Sequence, residues 1–199
     1  LLMDIQLGWK PTIQILYEGR EAQVRVTGDS LDSLFDEYFA DKSPEEKEQI
    51  KSKFGTSKAV LEAPQRVRRV CIDILKHYRE HIEPNGFKAM IVASSRHAAV
   101  LYKEILDELG SPESAVVISG DHNDEQRLAQ YTNPNDHKQH IENFKKPIGA
   151  GDNQSNLSFL IVKDMLLTGF DAPIAQVMYL DKKLSDHSLL QAIARVNRT

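Results

Sequence analysis

The chain has 199 residues, of which 41% are hydrophobic, with a single cysteine, Cys71, and a formal net charge of −4. That is enough for one good core, or a core with an appendage. It excludes a disulfide framework, a cysteine zinc cluster and a small domain that coats DNA by net charge alone. No apolar run approaches the roughly 20 residues that a bilayer span needs, and the opening LLMDIQLGWK lacks a signal peptide's basic start and long apolar stretch. No membrane contact and a reducing, cytoplasmic setting are therefore expected.

Within residues 1–28, PTIQILYEGREAQVRV sets two short β-like runs around EGRE, which suggests a hairpin. Leu31, Leu34, Phe35, Tyr38 and Phe39 then recur at helical spacing, and a second helix start falls at Ser43, with Pro44 in its first turn. DEYF, residues 36–39, begins with the two acids of a Walker B box, but no apolar strand precedes it, so it reads as helix surface. A long helix is predicted over 64–83. Val67, Val70, Cys71, Ile74, Leu75, Tyr78 and Ile82 form one stripe along it, and EPNG closes it.

From residue 87 the pattern becomes regular. KAMIVA is a short continuous apolar run of the kind buried in parallel sheets. After it come a helix (RHAAVLYKEILDEL), a strand (AVVIS), a polar loop (GDHNDEQ) and a helix around HKQHIENFKK. A strand (SFLIV), the loop KDMLLTGFDAP, a strand (QVMYL) and a terminal helix complete the chain. Strands alternating with helices imply βαβ units and a parallel sheet. The predicted fold class is α/β: an open parallel sheet flanked by helices over residues 87–199, approached by a hairpin and a helical segment over residues 1–86.

In an open parallel sheet, ligands bind beyond the carboxyl ends of the strands. The loops leaving those ends are SSR (94–96), SGDHND (119–124) and KDMLLTGFDAP (163–173). Their hydroxyls, glycines, arginine and acids suit phosphate and ribose contacts, although Ser, Gly and Asp also serve as ordinary caps and turns. The terminal QAIARVNRT adds a sharper feature. Gln191, Arg195 and Arg198 fall within roughly 60° of one another on a helix, and Leu189, Ile193 and Val196 face the other way. HYREH (77–81) has the inverted zinc-protease form, with His77 and His81 one turn apart, but nothing nominates a third ligand and it reads as an ordinary helix edge. HKQH (137–140) reads the same way, so no metal site is expected.

Taken together, KAMIVASSR, LLTGFDAP and QAIARVNR resemble motifs IV, V and VI of the superfamily 2 helicases and translocases. TGFDAP followed by LLQAIARVNR is most similar to the motor (R) subunit of type I restriction–modification enzymes, in which Asn stands before the last Arg. The resemblance covers a second RecA-like lobe from about residue 87 to the end. More loosely, the residues up to 83 resemble the segment that joins two such lobes.

The resemblance implies roles. Arg198 matches an arginine finger that stabilises charge on the transferring γ-phosphate, and Arg195 a neighbouring phosphate contact. Gln191, Asp171 and Gly169 would face ATP, with Asp171 toward the ribose and Gly169 allowing close backbone approach. Ser94, Ser95, Arg96, Ser119, Gly120 and Thr168 would touch backbone phosphates of DNA, contacts that position without reading sequence. The implied cofactors are ATP and Mg²⁺. The implied partners are double-stranded DNA, a first RecA-like lobe of the same polypeptide, and methyltransferase and specificity subunits.

The 199 residues contain no G-x-x-x-x-G-K-[ST] box and no convincing nuclease motif, so this piece alone is expected to be catalytically incomplete. Two alternatives stay open at this point. One is the second lobe of another superfamily 2 DNA helicase. The other is a nucleotide-free RecA-like docking module, against which the paired arginines argue. A dinucleotide enzyme is disfavoured, because KAMIVA leads into SSRHAA rather than a glycine-rich loop.

Overall fold

A computed structural model of the chain describes residues 31–167 and 170–182. The expected hairpin and the terminal helix lie outside these residues. Three short helices come first: α1 (Leu31–Tyr38), α2 (Pro44–Phe54) and α3 (Thr56–Leu61). α2 begins with a reciprocal cap. The Ser43 hydroxyl accepts from the Glu46 N–H at 3.2 Å, and the Glu46 carboxylate accepts from the Ser43 N–H at 2.8 Å. Leu34, Phe35 and Tyr38 of α1 pack on Ala59, Val60 and Ala63, forming a small satellite core. DEYF is thus only half surface: Asp36 and Glu37 are exposed, whereas Tyr38 is buried.

α4 (Pro64–His77) is shorter than the helix predicted over 64–83. The chain continues as a π turn (Tyr78–Ile82) and a 3₁₀ turn (Glu83–Asn85), and ends at Gly86 with φ 74°. Pro84 supplies a physical reason, since it has no N–H to continue an α-helical ladder. The wider turn places both Tyr78 and Ile82 in the core. The Tyr78 ring lies 4.4 Å from that of Phe159, and its hydroxyl donates to the Phe87 carbonyl at 2.9 Å. Gly86 takes the left-handed conformation that a helix end favours in glycine.

The sheet follows: β1 (Lys88–Ala93), α5 (Arg96–Glu108), β2 (Ser114–Val117), α6 (Gln126–Ala129), α7 (Pro134–Lys145), β3 (Phe159–Val162) and β4 (Ala175–Asp181). All four strands are parallel, in the order β2-β3-β1-β4. The α/β expectation of an open parallel sheet flanked by helices holds, and the architecture is compatible with a RecA-like lobe.

Every residue of β1, β2 and β3 is buried, because helices cover both faces. Alternation sorts their side chains. Ala89, Ile91, Val116, Phe159 and Ile161 pack with α4 and α5. Met90, Val92, Val117, Leu160 and Val162 pack with Phe144 of α7 and with Leu167, Phe170 and Ala172 of the β3–β4 connection. The stripe predicted along residues 67–82 therefore belongs to the sheet's own core.

Lys88, at the start of β1, is fully buried. Its Nζ donates to the carbonyls of Asn143 and Ser155, at 3.2 and 3.3 Å, and sits 5.7 Å from the Phe144 ring centre. Burial pushes its pKa down to about 8. β4 pairs with this end of β1 through a bulge: Lys88 faces Ala175, but Ala89 faces Val177, so Gln176 is the extra residue.

Candidate functional site

The registers fix which loops share the carboxyl edge of the sheet. Val92 of β1 pairs with Val162, Val162 with Val117, and Ala93 with Asp181. Ser94, the segment after Val117, Lys163 and Asp181 therefore emerge side by side, where a parallel sheet binds ligands.

After β1, the three residues SSR have three different placements. The Ser94 hydroxyl is buried and has no hydrogen-bond partner among the described residues. The Ser95 hydroxyl caps α5 by accepting from the Ala98 N–H at 3.0 Å. Arg96 opens α5 and turns across to the next loop, donating to the Ser119 carbonyl at 2.9 Å and to the Asp124 carboxylate at 2.6 Å. The same carboxylate accepts from the Asp121 N–H at 2.7 Å. The hydrogen bond from Arg96 holds the Asp124 carboxyl below its ordinary pKa, and Asp124 in turn raises that of Arg96. Ser119 and Gly120 stay exposed on this braced loop. A Cβ on Gly120 would meet Thr132 at 3.3 Å, so the backbone there lies close against its neighbour.

The loop after β3 carries a conformational exception. Leu166 has φ 66°, a left-handed backbone that bulky residues rarely adopt and that clusters at functional loops. Lys182 donates to the Lys163 carbonyl at 3.1 Å and to the Asp164 carboxylate, tying this loop to the end of β4. Burial pulls the Asp164 carboxyl pKa up. Hydrogen bonds from Lys163 and Lys182 more than offset that and leave it lowered. Further on, Phe170 and Ala172 are buried on either side of an exposed Asp171. The chain is thus pinned on both sides of a carboxylate that faces solvent. Thr168, Gly169, Gln191, Arg195 and Arg198 lie outside the described residues.

The edge also holds groups that the sequence patterns did not nominate. Arg66, in the first turn of α4, makes a two-pronged pair with Asp181, the last residue of β4; Nη1 reaches Oδ2 at 2.9 Å and Nη2 reaches Oδ1. Arg66 also donates to the Leu61 carbonyl at 3.2 Å, and the Tyr102 hydroxyl of α5 donates to Asp181 Oδ2 at 2.7 Å. Burial disfavours the Arg66 charge, but the hydrogen bonds and charge of Asp181 outweigh it and raise its pKa. Burial, followed by the Asp181 charge, raises the pKa of Tyr102 well above its usual value. Asp181 directly follows the apolar run QVMYL, a position that could have flagged it. Arg66 carries no comparable local signal.

The histidines of HYREH part company. His77 Nδ1 lies 2.8 Å from the Tyr179 hydroxyl, while His81 is exposed with its ring 5.1 Å from that of His77. His137, of HKQH, contacts the Tyr131 carbonyl at 2.6 Å. Among the described residues, no three His, Cys, Asp or Glu side chains converge as a metal site would require, and no helix is long and apolar enough to cross a membrane.

Comparison with known proteins adds to this geometry. The family model for domain 3 of type I restriction enzyme subunit R matches residues 120–199. A Methanocaldococcus jannaschii protein named as the type I restriction enzyme MjaIXP endonuclease subunit is 37% identical over 195 residues, which cover 94% of this chain and 18% of that protein. The HindI endonuclease subunit of Haemophilus influenzae is 33% identical over 199 residues, again 94% of this chain and 18% of the relative. The chain therefore spans about a fifth of the length of these relatives. Over nearly its whole length, this chain is related to type I restriction enzyme R subunits and corresponds to one segment of them.

Proposed function

We propose that this segment is the second RecA-like motor lobe of a type I restriction R subunit. With a first lobe in the same polypeptide, it drives ATP-dependent translocation on double-stranded DNA ahead of cleavage. The observation that carries this reading is that the motif IV segment and the loop leading into motif V leave adjacent strand ends of a parallel sheet, in a chain related to R subunits.

Exposed positions suit the assigned contacts. Asp171 is exposed between two buried neighbours, a placement suited to holding a ribose hydroxyl. Ser119 and Gly120 are exposed on a loop braced by Arg96, a placement suited to backbone phosphates of DNA. Gly169 and Gln191 are assigned to the nucleotide and Thr168 to the DNA backbone, on motif wording. ATP with Mg²⁺ supplies the phosphoryl bond whose hydrolysis powers movement, and the first lobe brings the phosphate cradle. Arg198 and Arg195 stabilise charge on that phosphoryl group from this side of the cleft, and the planar guanidinium fork suits phosphate oxygens better than an ammonium does. Methyltransferase and specificity subunits complete the assembly that selects the DNA.

The test is Arg198→Ala in an intact R subunit carrying these residues, assembled with its partner subunits. ATP binding is expected to persist while DNA-stimulated hydrolysis falls by about 10³-fold or more. Near-normal turnover would remove the arginine-finger role and, with it, the motor reading.

A further inference from the structure

The Arg66–Asp181–Tyr102 cluster joins three elements distant in sequence at the point where β4 ends. Asp181 receives both prongs of the Arg66 guanidinium and the Tyr102 hydroxyl, so its carboxylate is held by three donors. The side chains of Arg66 and Asp181 are only 18% and 12% exposed. Tyr102 is fully buried, and Arg66 is anchored again through the Leu61 carbonyl. A fork–fork pair of this kind fixes direction as well as distance.

Its position gives it consequence. Gln191 follows Asp181 by ten positions, and Arg195 and Arg198 come after it. The strand end that Arg66 holds, with Lys182 beside it tied to Lys163 and Asp164, is the last described part of the chain before those arginines. We infer that Arg66 and Asp181 are positioning residues, which fasten α4 to the end of β4 and thereby set where the arginine-bearing segment departs from the sheet. This inference rests on the motor reading above. The Asp181 carboxylate is already engaged by Arg66 and Tyr102, and in this role each residue acts through the direction it gives the chain. Misplacing a catalytic group by about 1 Å can cost of order 100-fold in rate, and the pair is geometrically suited to prevent such a shift.

The experiment uses an intact, assembled R subunit and three variants: Asp181→Asn, which keeps shape but loses the ion pair; Arg66→Lys, which keeps charge but loses the fork; and Arg198→Ala as reference. Melting is recorded first, and steady-state ATP hydrolysis on saturating DNA is measured well below the transition. The expected result is a 10- to 100-fold fall in kcat for Asp181→Asn and Arg66→Lys, with KM for ATP and DNA affinity within about twofold of the parent. Parental kcat in either folded variant overturns the inference. So does a raised KM with kcat intact, which would make Asp181 a determinant of nucleotide binding. If Asp181→Asn does not fold, Tyr102→Phe removes one hydrogen bond while leaving the ion pair, and it decides by the same criteria. Arg198→Ala separates the two readings. If it is crippled while the pair variants run normally, only the positioning role fails. If it runs normally, the motor reading fails and the positioning role with it.

Discussion

Arg96 and Asp124 are locked together across the carboxyl edge of the sheet, with the guanidinium 2.6 Å from the carboxylate and 2.9 Å from the Ser119 carbonyl. The arginine that opens α5 therefore also shapes the loop after β2. A DNA phosphate reaching Arg96 meets a guanidinium whose anion is already in place, so binding there is an exchange of partners. Each lysine or arginine engaged with phosphate contributes close to one counterion to the salt dependence of binding.

Arg96→Ala is therefore expected to weaken DNA binding by an R subunit carrying this segment and to reduce the slope of log affinity against log salt by about 1. Asp124→Ala, which leaves the guanidinium unpaired, should tighten binding at low salt. A salt titration of DNA affinity checks both. An unchanged slope in Arg96→Ala would confine that residue to bracing the loop.

Ser94 presents the opposite situation. Its hydroxyl is buried without a hydrogen-bond partner among the described residues, at the end of the central strand. A buried polar group left unsatisfied costs about 1–3 kcal/mol. Ser94→Ala should thus be neutral or stabilising by up to about 1 kcal/mol in thermal unfolding. If the hydroxyl meets phosphate once DNA is bound, the same variant should bind DNA several-fold more weakly. Stability unchanged or raised, with DNA affinity lowered, is the expected pair of results; parental DNA affinity would take Ser94 out of the contact set.

The Arg66–Asp181 pair allows a test in which breaking and replacing give different answers. Removing one partner of a buried ion pair leaves an uncompensated charge and typically costs about 3–5 kcal/mol, whereas apolar replacement of all its members is often far cheaper. Arg66 and Asp181 are only part-buried, so Asp181→Leu alone should lower stability by less than that, about 1–3 kcal/mol. Arg66→Met, Tyr102→Phe and Asp181→Leu combined should recover a substantial part of that. Denaturant unfolding of the three chains decides, and a combined variant less stable than the single would mean that the pair is net stabilising in this setting.

Much of this architecture could be read from residue pattern alone, for reasons that particular segments illustrate. KAMIVA and SFLIV are apolar throughout because both faces of the strands are covered. The Ser43–Pro44 start and the EPNG stop are written in local capping and turn chemistry. What could not be read was set by contacts remote in sequence. The partner of Asp181 lies 115 positions away and the partner of Arg96 lies 28 away, and neither Arg66 nor Asp124 stands in a motif. The four-residue α6 was missed because one turn carries no periodicity, and the π turn at 78–82 because its residues satisfy the α-helical stripe equally well. Of the candidate site, Ser94, Ser95, Arg96, Ser119 and Gly120 were nominated from loops that do lie along one edge of the sheet, whereas Asp171 stands just before the turn Ala172–Ala175 that leads into the start of β4. That the first three would be respectively sealed in, capping a helix and ion-paired depends on side-chain packing that spacing does not encode.

Lys88 yields the last prediction, and its sign can be worked out. Burial lowers its pKa in the folded chain to about 8, against about 10.4 when unfolded. Below pH 8 both states carry the proton, and the cost of burying the charge is fully present. Between about pH 8 and 10.4 the unfolded chain binds more protons than the folded one, so this group makes stability rise with pH, by at most about 1.4 kcal/mol per unit. Cys71, whose thiol burial pushes up to about 12, works in the opposite direction once the unfolded thiol begins to ionise, as do the raised tyrosines Tyr78 and Tyr102. Those groups are shared with a Lys88→Met variant and cancel in the difference. Urea unfolding of both chains from pH 7 to 10 should show parent-minus-variant stability level up to about pH 8 and climbing above it. A flat difference across that range would mean that the carbonyls of Asn143 and Ser155 hold the ammonium as well as water does.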